Sequence, residues 1–344
     1  MRKVSDETAQ SLKNLQSASF DVAKQVGVTA LEIQNSAADF MRLGYSLKEA
    51  SKLSEDANIY ANVGDMDISE ATEHMISSIQ AWQSEFSSAT EASTNIIDRY
   101  NEIGNRFAIT SADIGSAMER SAAALKAGGN DLNEAIGIIT AGNLIQQDAD
   151  TTANAIKVLS LRLRGAKADL ESMNEETDGL VESTSKMREQ IQALTGVDIM
   201  IDDSTFKSTA KIIQEIGAEW SNLSDVSQAA TLELLAGKTR ASTVAGLIEN
   251  YQTIGEVIEA AEESENSARI ENEKYLDSME GRLNLMTSQL QELASVSLND
   301  NLLKEGISSL TKILELITDI VDTFGLLPTA AGMAGIYAGY KNVG

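Results

Sequence analysis

His74 is the only histidine in 344 residues and cysteine is absent, which leaves few groups able to do chemistry. Serine–histidine and cysteine–histidine nucleophiles and zinc sites all need imidazole or thiolate members in sets. His74 stands on a helical stretch beside Met75 and Ile79 without such a set. Gly237-Lys238-Thr239 has the ending of a phosphate-binding loop, but the first glycine of that pattern would fall at Leu232 and no strand precedes it. A helix stop followed by a surface turn is expected there instead. Asp65, Asp67 and Ser69 have the spacing that opens a calcium loop, yet the sixth and twelfth places are Glu70 and Ile76. Without glycine and a closing glutamate, helix capping is the better account. Carboxylate pairs such as Glu262 and Glu263 read as solvated charge in a chain of net charge −25. No catalytic residue, metal site or cofactor is therefore expected, and the chain reads as a non-enzyme. The same charge opposes nucleic-acid binding, which draws its affinity from Lys and Arg displacing counterions. The one basic-leaning stretch, Lys157, Arg162, Arg164 and Lys167, reads as a solvated face of a helix that carries Ile156, Leu159, Leu163 and Leu170 on its other side.

The elements that would position these residues are written most clearly in a repeat. Residues 46–71 and 110–135 align without a gap at an offset of 64, the distance from Asp67 to Asp131. Each copy opens with a capping box, Ser46 with Glu49 and Thr110 with Asp113, in which side-chain oxygens satisfy N–H groups of the first turn. A second box follows in each, Asp67 with Glu70 and Asp131 with Glu134. Gly64 and Gly128 come just before it and are expected to end the first helix in the left-handed conformation. The pattern is helix, glycine stop, capped helix, twice. Farther on the copies diverge, with Trp82 and Phe86 opposite Gln146 and Asp150, so different packing partners are expected.

A single proline, Pro328, and 4% aromatic residues argue for an all-α chain with thin layers of Ala, Leu, Ile and Met. The expected architecture is an elongated assembly of helix-turn-helix units. Residues 1–45 form a long amphipathic or coiled-coil lead, with Leu12, Leu15, Val22, Val26, Ile33, Phe40 and Leu43 at steps of three and four and Ser19, Thr29 and Ser36 at seam positions. The duplicated units occupy 46–109 and 110–170. Residues 171–205 form an acidic helix and a connector, with at most one short extended segment near 197–201, and the preferred domain boundary lies near 195. A compact helical motif follows over 206–251, with Phe206, Ile213, Trp220 and a stop at Gly237. Residues 252–323 read as acidic and then amphipathic helices, the latter carrying Ile307, Leu310, Ile313, Leu314, Ile317 and Val321. The last segment, 324–344, is rich in apolar residues, Gly and Ala. No charge falls between Phe324 and Tyr340, where Gly335 and Gly339 have a helix-approach spacing. That stretch is short for a spanning helix, which needs about 20 residues, and a buried or oligomer-facing helix is favoured over membrane insertion. The N-terminus lacks the apolar core of a signal peptide.

Residues 193–250 resemble the core region of phage tail tape-measure proteins from Gram-positive hosts. The resemblance rests on Leu194-Thr195-Gly196, Val197-Asp198-Ile199-Met200, Trp220, Leu223-Ser224-Asp225 and Leu234-Leu235-Ala236-Gly237-Lys238. A second block is similar, from Glu273-Lys274-Tyr275-Leu276 to Gly281-Arg282-Leu283-Asn284 and again at Phe324-Gly325-Leu326-Leu327-Pro328-Thr329, as is Leu161-Arg162-Leu163-Arg164-Gly165-Ala166-Lys167. Thr239 departs from the pattern, since relatives more often continue with a basic or polar pair. The resemblance implies a virion protein, phage- or prophage-encoded, that occupies the tail tube lumen, sets tail length during assembly in the host cytoplasm and leaves the tube when the genome is ejected. It also implies tail tube protein, tail assembly chaperones and tail-tip or baseplate hub proteins as partners, homo-oligomerisation in the tail, and host-membrane contact through 324–340. Capped, glycine-punctuated pairs look like a folded section of a longer product. Two other classes compete: a helical signalling adaptor similar to chemotaxis-receptor helices, opposed by the stops at Gly64, Gly128 and Gly237, and a non-catalytic part of a cell-wall hydrolase.

Overall fold

The computed structural model describes residues 9–175, 183–295 and 313–323, together with Thr177, Leu180 and Gly325. Among these residues there is no sheet. The extended segment expected near 197–201 reduces to an isolated antiparallel bridge between Met200 and Phe206, and all other regular structure is helical. The described residues form two compact units, one within 1–72 and 268–344, the other within 73–267. The connector around residue 195 lies inside the second unit.

The first unit starts with α1 (Ala9–Val26), α2 (Ala30–Arg42), α3 (Leu47–Gly64) and the opening turn of α4 (Ile68–Trp82). The amphipathic lead, expected as one long helix, is two. Gly27 takes φ +82, a left-handed conformation that ends α1, and a Cβ there would lie 2.6 Å from Leu276 Cδ2. Thr29 then restarts the chain as a helix. Its Oγ1 accepts from the Glu32 N–H at 3.3 Å while Glu32 Oε2 accepts from the Thr29 N–H at 2.7 Å. The seam serines Ser19 and Ser36 are buried, and the core of α2 and α3 is built from Ile33, Ala37, Phe40, Leu53, Ala57 and Tyr60.

The second unit continues with α5 (Ala89–Arg106), α6 (Ser111–Ala127), α7 (Leu132–Gln146), α8 (Ala149–Leu163), α9 (Lys167–Ser172) and α10 (Thr184–Thr195). It is completed by α11 (Thr209–Glu219), α12 (Asp225–Ala236), α13 (Ala241–Glu249) and α14 (Tyr251–Glu262). α6 packs along α8, and α7 lies against α13 and α14. Ile96, Ile97, Ile103, Ile136 and Ile139 fill the interior with Trp82 and Tyr100. The repeat survives as structure: α3 and α4 start at Leu47 and Ile68, α6 and α7 at Ser111 and Leu132, each pair displaced by 64 residues. Register is lost after Trp82, where the first copy enters a 3₁₀ turn at Gln83–Glu85 while the second turns through Gln147 at φ 49.

The chain returns to the first unit through α15 (Ser267–Leu276), followed by α16 (Met279–Ser295) and α17 (residues 313–323). Asn272 of α15 and Asn62 of α3 bond to each other at 2.8 Å, and Asn62 Nδ2 also donates to the Val26 carbonyl at 2.8 Å, satisfying the last turn of α1. Lys24 pairs with Glu292 at 2.6 Å, and Arg282 of α16 pairs with Asp319 of α17. On α17 the buried residues are Ile313 and Ile320, whereas Leu314 is exposed. Ile317 and Val321 of the expected stripe are half-buried, while Ile307, Leu310 and the segment 324–340 with Pro328 lie outside the described residues, Gly325 excepted. Among the described residues no helix is long and apolar enough to cross a membrane.

Candidate functional site

Six of the expected capping residues sit at helix starts and bond reciprocally. Ser46 Oγ accepts from the Glu49 N–H at 3.3 Å and Glu49 Oε2 accepts from the Ser46 N–H at 2.9 Å. Hydrogen bonds from Ser46 hold the Glu49 carboxyl below the usual range. Thr110 Oγ1 accepts from the Asp113 N–H at 3.0 Å, with the return bond at 3.2 Å. Asp131 Oδ1 accepts from the Glu134 N–H at 2.8 Å, with the return bond at 3.1 Å. Asp67 precedes α4, its carbonyl accepting from the Ala71 N–H at 3.0 Å, and Glu70 lies in that first turn.

The glycine stops need correction. Gly64 is the last residue of α3, and the left-handed residue is Asp65, at φ 50 and ψ 51. Gly128 has φ −72, and Gly129 carries the positive value, +76. Both copies thus turn one residue later than expected and remain in register, Asp65 opposite Gly129. Gly128 is required for a different reason: a Cβ there would lie 2.6 Å from Thr209 Oγ1 and 3.1 Å from the Ala124 carbonyl oxygen. Gly237 does turn, at φ 66 and ψ −170, a region essentially confined to glycine.

Around Gly128 the backbone becomes a junction. Its carbonyl accepts from the Thr209 N–H at 3.1 Å and from Arg164 Nη2. Asn130, 1% exposed, bonds in three directions. Its carbonyl accepts from Trp82 Nε1 at 3.1 Å, its Oδ1 from the Ala210 N–H at 2.9 Å, and its Nδ2 donates to the Leu125 carbonyl at 2.7 Å. Glu134 adds a fourth link, accepting from Ser208 Oγ at 2.7 Å. Burial pushes the Glu134 carboxyl up, against the opposing Ser208 bond. Ser208 in turn caps α11, accepting from the Lys211 N–H at 3.1 Å. The α6–α7 turn of the second copy is thereby tied to α4, α8 and the start of α11.

Of the basic stretch, Arg162 and Arg164 are turned inward and are not part of a solvated face, whereas Lys157 and Lys167 stay half-buried. Arg162 is fully buried. Its Nε donates to the Leu234 carbonyl at 2.9 Å and its Nη2 to the Glu233 carbonyl at 3.3 Å, placing a cation at the negative end of α12. Gly237 completes that end by donating its N–H to the Glu233 carbonyl at 3.0 Å. Arg164 donates to the Lys207 carbonyl at 2.7 Å and lies 4.3 Å from the Phe206 ring centroid. Burial lowers its guanidinium to about 10. The signal was present in sequence: Ala155, Val158 and Arg162 fall at i, i+3 and i+7, and all three are buried.

Trp220, expected within the compact motif over 206–251, is half-buried and opens a 3₁₀ turn over Trp220–Asn222. The buried tryptophan is Trp82. Glu263 is exposed and pairs with Arg106 at 3.2 Å, and Lys238 follows a helix end with no strand before it. Among the described residues no group of three or more His, Asp or Glu side chains is placed to hold a metal. An open groove of about 520 Å³ between α10 and α12, lined by Gln190, Ala193, Leu194, Ala230, Glu233 and Leu234, has one carboxylate and no second ionisable group. This arrangement ties helices to one another; it holds no reacting constellation among the described residues. The family model described as phage-related minor tail protein matches residues 16–237, a span that includes the repeat, the junction and the Arg162 cap. No solved structure matches the chain.

Proposed function

The chain belongs to the phage-related minor tail protein family, and from that premise we propose that it is a tail tape-measure protein of the type found in phages and prophages of Gram-positive hosts. In this reading it occupies the lumen of the growing tail tube, sets the tube's length and takes part in genome delivery, with no catalytic role. Its partners are the tail tube protein, the assembly chaperones and the tail-tip hub, and copies of the chain associate within the tail. The observation that carries the proposal is the family match over residues 16–237 in an all-helical chain. Helix spans length economically, at about 1.5 Å per residue. The blocks at 161–167 and 234–238, which resemble tape-measure cores in sequence, are bonded to each other through Arg162 and Leu234.

In-frame deletions in the phage genome test the assignment. Removing residues from an extended helical part of the gene product should shorten tails by up to about 1.5 Å per residue removed, measured by electron microscopy of purified particles. Tail length unchanged by every such deletion removes the ruler role while leaving the chain a minor tail protein.

A further inference from the structure

The 64-residue register places Glu119 opposite Glu55 and His74 opposite Ile138. In the first copy Glu55 accepts from Arg269 Nη2 at 2.7 Å and from Lys52 Nζ at 3.2 Å, two donors charged throughout the physiological range. In the second copy the corresponding Glu119 meets His74 Nε2 at 3.7 Å. That distance is too long for a hydrogen bond and short enough for an ion pair. His74 is 2% exposed, and its register partner Ile138 is fully buried. Packing at this position is therefore met by an aliphatic side chain, and an imidazole adds a desolvation cost that packing does not explain.

Burial disfavours a charged His74 ring, and the carboxylates around it act in the opposite sense. From α6 come Glu119 and Arg120, and from α8 comes Asp150, which binds Arg120 at 2.6 Å and Ser116 at 2.7 Å. Arg120 is thus already committed to a carboxylate. Asp150 lies below the usual carboxyl range, chiefly through Arg120 and Ser116, with His74 adding to the effect. From α5, the Tyr100 hydroxyl bonds Ser78 at 2.6 Å, one turn beyond His74, and burial raises its pKa, so it stays neutral. On α4 itself Glu70 and Glu73 precede it.

We propose that His74 and Glu119 form a protonation-operated latch between α4 and α6, the titratable counterpart of the permanently charged Glu55–Arg269 contact in the first copy. Near neutral pH the contact is weak, and on acidification it closes as an ion pair. The sign follows from linkage: a folded-state histidine pKa above the unfolded value of about 6.5 contributes stability that is complete below that value and is lost as pH rises through the folded pKa.

Because the chain has one histidine, its titration is read without assignment from the Cε1–H resonance of the full chain labelled at histidine. The expected midpoint lies above about 6.5 and falls by about one pH unit in Glu119→Gln, the low end of the range for an opposite charge at this distance because Glu119 is half exposed. Asp150→Asn should move it less. A midpoint at or below about 6.5, a midpoint that Glu119→Gln leaves in place, or a larger shift in Asp150→Asn than in Glu119→Gln overturns the latch.

Discussion

Arg162 and Asp131 both satisfy helix-end groups, but at sites that differ in water access, and this sets the size of their effects. Asp131 caps α7 at the surface, so Asp131→Ala should cost about 1 kcal/mol of unfolding free energy, read from chemical denaturation. Arg162 is buried against the Glu233 and Leu234 carbonyls. Arg162→Ala leaves those acceptors dry and opens a cavity the size of the side chain, a loss of about 3 kcal/mol or more. Equal losses in the two variants would mean that Arg162 is not the cap of α12. The tryptophans separate in the same way. Trp82→Phe removes the donor to the Asn130 carbonyl and should cost about 1–3 kcal/mol, whereas Trp220→Phe, at a half-buried turn, should stay within about 0.5 kcal/mol.

At the scale of elements, the two copies of the repeat share helix starts and turn position but differ in the residue placed at the turn. Asp65 occupies the left-handed conformation that glycine takes at Gly129. Left-handed backbone disfavours an L side chain by about 1–2 kcal/mol, partly relieved for Asp. Asp65→Gly should therefore stabilise the protein by about 0.5–1 kcal/mol, and Gly129→Ala should destabilise it by about 1–2 kcal/mol. Thermal melts of the two variants check both signs. A destabilising Asp65→Gly would show that the carboxylate makes a contribution larger than the backbone strain.

At the scale of the whole molecule, residues 206–250 differ from a spacer because the rest of the second unit is bonded to them. Removing them takes away Ala210 and Thr209 from the Asn130–Gly128 junction, Phe206 and Lys207 from Arg164, and the α12 carbonyls from Arg162. Phage carrying this deletion should fail in tail assembly or genome delivery, scored by plating and electron microscopy, and should not form functional tails that are merely shorter. Fully infectious particles of normal length would count against a necessary role for the block.

The sequence alone determined the features whose physics is local. Capping boxes at Ser46, Thr110 and Asp131 are closed by residues three positions away, so their bonds could be read before any packing was known. The offset of 64 residues set where α3, α4, α6 and α7 begin, and a composition poor in proline and aromatics set the all-α class. The break at Gly27 was also written locally, in Gly27 and the Thr29–Glu32 box, but the apolar period running through it hid it, since Thr29 fits a seam position as well as a cap. Tertiary structure decided whatever depends on contacts distant in sequence. A one-residue shift of the left-handed position leaves the glycine pattern unchanged, and only the approach of Thr209 shows why Gly128 lacks a side chain. Arg162 lies in line with Ala155 and Val158, which marks a buried face, but only the folded chain shows the carbonyl-rich end of α12, more than 70 residues away, that receives it. The preferred boundary near 195 followed a change in composition, but a compact unit is defined by which surfaces are buried together, and the chain returns to its first unit only at Ala268.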